Sequence, residues 1–182
     1  TLKMVTHNAQ TDSVYRDLFA YHKVRMFRTD IQGVCDSLVT HELDSCTYMY
    51  GQPILWNDNQ QIFGEEIRIY NNDSTVDWIH IVNQAMTVEQ VDTASYNQVS
   101  SIEMFCYFKN GELERNEAKG NVYVCYYMDE SDGTRIGMNY TETPELHLYM
   151  KDKKVHKIWM QTSSGVMYLQ VRDSAVVLRW KW

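Results

Sequence analysis

Hydrophobic and polar residues alternate with a period of two along most of the chain, which is typical of β-strands whose two faces lie in different surroundings. The alternation is clearest at residues 67–70, 122–126 and 146–150, which are also rich in β-branched and aromatic residues. Only residues 13–19 look helical, with Asp12 or Ser13 as a possible N-cap and Val14 and Leu18 four positions apart, and a short helix is predicted there. The pattern therefore predicts an all-β protein with at most one short helix.

Short turns separate the predicted strands. Asn110 and Gly111 form the strongest signal, because Asn-Gly fits the tight turns that connect two antiparallel strands. Asp132 and Gly133, and the polar segments 71–74 and 151–153, are further turn candidates. None of these connections is long enough for a crossover helix, so the strands are predicted to be antiparallel.

An internal repeat indicates how the strands are organised. A turn-prone pair followed by apolar alternation occurs at residues 22–26, 51–56, 83–88 and 120–124, at steps of 29, 32 and 37 residues. A second phrase, with a polar or acidic corner, interleaves with it at residues 32–38, 61–67 and 98–104. A unit with one apolar face must stack on its neighbours. We expect a single domain over residues 1–182, an elongated antiparallel β-roll or jelly roll, with a two-sheet sandwich as the alternative.

Composition narrows the classes of function. The chain has 182 residues, 44% of them hydrophobic, and a net charge of −7. That charge argues against nucleic acid as a partner, since phosphate binding requires a basic surface. No apolar run approaches the ~20 residues that a membrane-spanning helix needs. Residues 1–6 contain no continuous apolar segment of the signal-peptide type, which leaves a cytoplasmic or an already processed protein open.

The sequence contains no pattern that predicts catalysis or a bound metal. HExxH, GxxxxGK[ST] and GxSxG are absent, and the six histidines are scattered. Cys35, Cys46, Cys106 and Cys125 form no CxxC, and we expect them to be free and mostly buried. We therefore expect a protein that is not an enzyme and has no cofactor. The acidic groups at 65–66 and 129–132 are expected to be solvated corners.

Four segments, residues 30–38, 49–56, 60–67 and 136–139, carry a family resemblance. Together they resemble the OstA-like family, which includes LptA-type periplasmic proteins and the N-terminal domain of LptD, and in particular its Bacteroidetes-type members. The resemblance covers residues 20–160, whereas residues 161–182 follow the repeat poorly. It implies a β-taco or β-jellyroll that carries lipopolysaccharide in the periplasm of a Gram-negative bacterium. It also implies that protomers, or related envelope transport proteins, stack head to tail.

On this interpretation the inward apolar side chains form a trough for acyl chains of lipopolysaccharide or another acylated glycolipid. The predicted lipid-binding residues are Ile54, Trp56, Ile67, Ile69, Ile81, Met86, Val88, Met104, Phe108, Val122, Val124, Tyr126, Leu146, Leu148 and Met150, with Leu38, Ile79 and Cys106 also predicted to point inward. The ten Met residues of the chain suit a wall that adapts to irregular ligands. Two alternatives remain: a carbohydrate-binding jelly roll that uses Trp56, Trp78 or Trp159, and a purely structural β-solenoid with a filled core.

Overall fold

Fourteen strands form one antiparallel sheet in this computed structural model, which describes residues 1–10, 12–29, 31–57, 59–72, 75–130, 132–171 and 174–181. The strands are β1 (Leu2–His7), β2 (Tyr15–Phe27), β3 (Gln32–His41), β4 (Cys46–Tyr50), β5 (Ile54–Asn57), β6 (Gln60–Phe63), β7 (Glu66–Asn71), β8 (Val76–Gln90), β9 (Tyr96–Lys109), β10 (Glu112–Asp129), β11 (Arg135–Lys151), β12 (Lys154–Met160), β13 (Ser164–Val171) and β14 (Ser174–Lys181). Those residues include no helix. The prediction of an all-β antiparallel roll is confirmed.

Neighbouring strands pair in the order β1-β2-β3-β4-β7-β8-β9-β10-β11-β13-β14. Three further strands complete the sheet. β5 pairs with β3 and β6, β6 also pairs with β8, and β12 pairs with β11. One half of β3 therefore pairs with β4 and the other half with β5, and β11 is shared in the same way by β12 and β13. The broken strands β4/β5, β6/β7 and β12/β13 thus take the places of single long strands.

The repeat in the sequence marks the places where the long strands bend. Positive φ angles occur at His22, Lys23, Gly51, Gln52, Asn83, Gln84, Gly120 and Asn121, which are the turn-prone pairs of the repeat. Two successive residues in the left-handed region change the direction of a strand. The sequence predicted turns between strands at these pairs. Instead, β2, β8 and β10 continue through them with a shift of register.

The bends form a line of corners across the sheet, where neighbouring backbones approach closely. A Cβ atom on Gly51 would lie 2.6 Å from Cβ of Asp36, and one on Gly120 would lie 2.9 Å from Cδ1 of Ile102. Both glycines also have positive φ, at 76° and 80°. Glycine is therefore required at these corners for backbone conformation and for space.

The line of corners divides the sheet into two walls that face each other. Wall 1 contains β1, β4, β7, β12 and those halves of β2, β3 and β8–β11 that lie on the same side of the corners. Wall 2 contains β5, β6, β13, β14 and the other halves. The walls meet in one core, since a Cβ atom on Gly33 of wall 2 would lie 3.0 Å from Cε of Met49 of wall 1. At the N-terminal end, Arg28 Nη1, just after β2, donates to Asn71 Oδ1 at the end of β7 at a distance of 2.7 Å, and this bond links the two walls.

Aligned side chains on successive strands build this core. One inner row of wall 1 comprises Ala20, Leu38, Met49, Ile67, Ile81, Met104, Ala118, Leu146 and Met160. The facing row of wall 2 comprises Met26, Gly33, Leu55, Ile62, Thr87, Val99, Val124 and Thr141. Cross-strand neighbours on one face are the units that stabilise a sheet. The rows run across the strands, so the core extends along the whole roll.

The helix predicted at residues 13–19 is wrong, because β2 begins at Tyr15. Leu18 pairs with Met4 of β1 and Thr40 of β3, so pairing on both sides of the strand outweighs the helical spacing. In residues 161–182, which follow the repeat poorly, the structure places β13 and β14. The side chains beyond residue 166 and the side chain of Lys154 lie outside the described part.

The inward orientation predicted for Ile54, Trp56 and Met86 is also wrong. Leu55 is fully buried between the walls, while Ile54 and Trp56 are half-buried on the other face. Likewise Ala85 is 1% exposed and Met86 is half-buried. The cause is the corner immediately before each segment, because the left-handed pairs change which residues of the alternation point inward.

Candidate functional site

An apolar cavity lies between the two walls in the C-terminal half of the roll, with a volume of about 90 Å³. Wall 1 contributes its inner residues from β10, β11 and β12. Wall 2 contributes residues of β8, β9, β10 and β11. The apolar lining comprises Val88, Val99, Leu113, Val124, Tyr126, Leu146, Leu148, Met150, Val155, Ile158 and Met160.

Strand register explains why apolar side chains collect at this position. Leu146 pairs with Met160, Leu148 with Ile158, and Met150 with Val155, so β11 and β12 present matched apolar pairs to the interior. A register shift after Tyr149 accounts for the uneven spacing of the β12 residues. Among the described strands β12 pairs only with β11, so it forms the edge of wall 1. Ile158 is 46% exposed, which places solvent beside the cavity at this edge.

The core of the N-terminal half of the roll is closely packed. Met49, Leu55, Ile67, Ile79 and Ile81 are all fully buried there. This half therefore matches the filled core that the structural alternative predicts. The C-terminal half does not.

The predicted lipid-binding residues separate into three groups. Val88, Val124, Tyr126, Leu146, Leu148 and Met150 line the cavity. Ile67, Ile69, Ile81, Met104, Phe108 and Val122 belong to the buried core and do not line it. Ile54, Trp56 and Met86 are half-buried and lie outside it.

Sequence reasoning missed most of the other lining residues, among them Val99, Leu113, Asn116, Val155, Ile158 and Met160. Leu113 follows the Asn-Gly turn and alternates with the exposed residues Glu112 and Glu114, so this alternation could have identified Leu113 as an inward residue. Val155, Ile158 and Met160 lie within or just after the segment that contains Lys151, Lys153, Lys154 and Lys157, whose charges suggested a solvated turn. Asn116 is polar and buried, and no sequence pattern identifies such a residue.

Polar groups surround the cavity at the open side of the roll. A second space of about 50 Å³ adjoins it, lined by residues that include Gln60, Glu89, Glu112 and Lys153. The Glu89 carboxylate accepts hydrogen bonds from Asn59 Nδ2 at 3.3 Å and from Asn97 Nδ2 at 3.2 Å. The site therefore changes from apolar in its interior to polar at its opening, which suits an amphiphilic ligand.

Burial and nearby charge affect the titrating groups along this cavity. Burial raises the pKa of Tyr126, and the negative charges of Glu89 and Asp129 raise it further. Burial raises the pKa of Cys106 to about 12 and also raises the pKa of Cys125. These groups are neutral at pH 7, so the buried part of the site carries little charge. All four cysteines are free, as the sequence predicted.

The acidic groups predicted to be solvated corners make specific contacts. Glu65 accepts hydrogen bonds from Asn83 and Gln84 at the corner of β8. Asp129 and Asp92 both pair with Arg135, which joins two hairpin ends of wall 2. These carboxylates stabilise turns. Within the described residues no group of three or more His, Cys, Asp or Glu side chains could hold a metal ion.

Aromatic residues cover the outer face of wall 1, where the carbohydrate-binding alternative requires a free ring face. Trp78 stacks on Tyr70 with ring centroids 3.8 Å apart and planes 4° from parallel, and Tyr107 lies on a neighbouring strand at 6.4 Å. Trp56 is half-buried, and Trp159 is 44% exposed and meets the edge of His147. Sugar stacking requires an accessible ring face. Trp78 has one face covered by Tyr70, which argues against this alternative at Trp78.

Comparisons with known proteins give a match at the level of structure. No family model matches the chain, and no curated protein matches its sequence. Among solved structures, it is similar to LptH from Pseudomonas aeruginosa, described as the LptA-homologous periplasmic component of the lipopolysaccharide transport device. The TM-score is 0.53 at 10% identity, over 69% of this chain and 80% of LptH.

The likeness and the topology together define the class of fold. The chain has the antiparallel β-taco of LptA-like proteins, folded along a line of corners into two walls. At 10% identity the comparison shows the fold alone. In the part of the chain that the structure describes, no helix is long and apolar enough to cross a membrane.

Proposed function

We propose that this protein is a non-enzymatic periplasmic carrier that shields the acyl chains of lipopolysaccharide, or of another acylated glycolipid, during outer-membrane biogenesis in a Gram-negative bacterium. The observation that carries this proposal is the apolar cavity between the walls, which opens beside β12 on a fold shared with LptH. The sequence resemblance to Bacteroidetes-type OstA-like proteins supports the same function.

The cavity suits a hydrocarbon chain because its interior offers apolar side chains and little charge. Each buried CH₂ group contributes about 0.8 kcal/mol, so a chain needs contact area and no reaction. A dry cavity of about 150 Å³ accepts one benzene molecule. The volume of about 90 Å³ here therefore holds only a short part of an acyl chain. We expect a longer chain to move the β12 edge outward, because among the described strands only β11 holds β12.

Binding of purified lipopolysaccharide tests the proposal directly. In Leu148→Trp the larger side chain fills the cavity, and we expect affinity to fall at least tenfold while the fold is kept. Leu43→Trp is the matched control, because Leu43 is 72% exposed in the turn after β3. Circular dichroism verifies that both variants are folded. Equal affinity in the native protein and folded Leu148→Trp would contradict the proposed site.

Native mass spectrometry and lipid extraction of the purified protein provide an independent measurement. We expect a bound amphiphile that is lost or reduced in Leu148→Trp. Hydrogen exchange after addition of lipid should change first in β12. If exchange in β12 is unaffected while lipid is bound, the chain enters by another route.

We further propose that copies, or related envelope transport proteins, join head to tail through the two ends of the roll. The half of β2 in wall 2 pairs with β3 on one side only, and Phe27 at its end is 76% exposed. β12 and β14 each have one partner among the described strands. Unpaired strand edges accept another strand.

Strand breaking at the β2 edge tests this association. Val24→Pro should lower the average mass measured by light scattering at high protein concentration, since proline removes a backbone donor. Leu43→Pro in an exposed turn is the control. A native protein that stays monomeric up to millimolar concentration would refute self-association.

A further inference from the structure

Asn116 interrupts an otherwise largely apolar inner row of wall 1. It lies on β10 between Cys106 of β9 and Leu148 of β11, and only 3% of it is exposed. Its Nδ2 group lies 3.2 Å from Met104 Sδ and 3.5 Å from Cys106 Sγ. Its Oδ1 atom is buried and has no hydrogen-bond partner within the described part of the chain.

The orientation of the amide follows from the chemistry of its neighbours. A thioether sulfur carries no hydrogen and can only accept, so the N–H groups of Asn116 belong on the side of Met104. The carbonyl oxygen then remains without a donor. An unpaired buried carbonyl destabilises the folded protein, whereas a leucine of similar size would fill the same position without this cost. Asn116 is also one of the residues that line the cavity, so its unpaired acceptor belongs to the wall of that cavity.

The acceptors of Glu89, Asn97 and Asn139, which also line the cavity, already have partners. Glu89 accepts from Asn59 and Asn97, Asn97 Oδ1 accepts from the Tyr127 N–H, and Asn139 Oδ1 accepts from the Thr141 hydroxyl. Among the described residues that line the cavity there is no lysine or arginine. A phosphate or carboxylate group therefore has no cationic partner in the interior. A hydroxyl group or an amide N–H finds an acceptor there.

We propose that the cavity binds an acyl chain that carries a hydrogen-bond donor, such as a hydroxyl group, with this donor placed on Asn116 Oδ1. The anionic head of the ligand stays outside the apolar interior. This inference rests on the proposed function. It adds that the cavity prefers a chain with such a donor to a chain of equal length without one.

Competition binding with matched fatty acids tests the preference. Tetradecanoic acid is compared with 3-hydroxytetradecanoic acid, and octadecanoic acid with 12-hydroxyoctadecanoic acid, so that the hydroxyl group is sampled near the head and in mid-chain. In the native protein at least one hydroxylated chain should bind about tenfold more tightly than its parent. In Asn116→Leu the ratio of the two affinities should fall to about one.

Two outcomes would overturn the proposal and leave the proposed function intact. The first is equal binding of parent and hydroxylated chains to the native protein, which is expected if an internal water satisfies Oδ1. The second is a preference that persists in folded Asn116→Leu, or in Asn116→Ala if the leucine variant does not fold. If no fatty acid binds to the native protein, the lipid-carrier function fails as well.

Discussion

The corner at Gly120 allows a quantitative test of how the sheet folds over. Gly120 has a φ of +80°, and an added Cβ would lie 2.9 Å from Ile102 Cδ1 and 3.1 Å from Ile102 Cβ. Gly111 has nearly the same φ, +81°, but its added Cβ would have no heavy atom within 4 Å. The pair therefore separates the conformational cost of alanine from the steric cost of close backbone approach.

The expected magnitudes follow from these two terms. Alanine in the left-handed region costs about 1 kcal/mol, which is the whole effect expected for Gly111→Ala. In Gly120→Ala the methyl group must also displace Ile102, which adds about 1–3 kcal/mol. Gly120→Ala should thus lower the free energy of unfolding by about 2–4 kcal/mol. Adding Ile102→Ala should recover most of the steric part, because Ile102 is half exposed and its own loss is small.

Urea unfolding followed by circular dichroism and tryptophan fluorescence measures these differences by linear extrapolation. The four proteins needed are native, Gly120→Ala, Ile102→Ala and the double variant, with Gly111→Ala as the control. If Gly120→Ala and Gly111→Ala cost the same, or if the double variant shows no coupling, neighbouring strands do not approach closely at this corner.

Further predictions concern the core and two titrating groups. Ile67→Ala should lower the free energy of unfolding by about 2–5 kcal/mol in urea titrations, because Ile67 is fully buried in the packed half. Burial raises the pKa of Cys106 to about 12, so this thiol should react with a thiol reagent at pH 8 only when the protein unfolds. The free energy of unfolding should also fall as the pH rises above 9.0, the ordinary pKa of a thiol. Hydrogen bonds with His41 and His7 lower the pKa of Asp17 below 3.8, so these bonds stabilise the fold above that pH and the stabilisation is lost on acidification. In Asp17→Asn the free energy of unfolding should therefore fall less steeply as the pH is lowered below 3.8.

The sequence predicted the fold because strand periodicity and turn residues are local properties. Asn110 and Gly111 form the tight hairpin that their chemistry predicts, both with positive φ. The repeat also identified the corners, since pairs such as His22 and Lys23 occupy equivalent places in successive units. At three of the four pairs the predicted turns are bends within the continuous strands β2, β8 and β10, because residues on both sides of the pair find partners on the same neighbouring strand. At Gly51 and Gln52 the bend separates β4 from β5, and both of these strands pair with β3.

The orientation of side chains beyond a corner could not be predicted from alternation. Leu55 replaces Ile54 and Trp56 in the core because the bend at Gly51 and Gln52 changes the phase of the alternation. How far a left-handed pair changes the phase depends on the neighbouring strands, which alternation within one segment does not reveal. The same limitation hid Asn116, since a buried polar residue violates the pattern used to find buried positions.

The shared corners have a consequence for how the length of this molecule can vary. A left-handed pair recurs once in each repeat unit, at residues 22–23, 51–52, 83–84 and 120–121, so adding or removing a complete unit lengthens or shortens the roll and keeps the apolar lining continuous. A single-residue insertion within one half-strand would instead turn its apolar side chains toward water and interrupt the lining at that strand. Natural length variants of this chain should therefore differ by whole hairpins, with the bends kept in line.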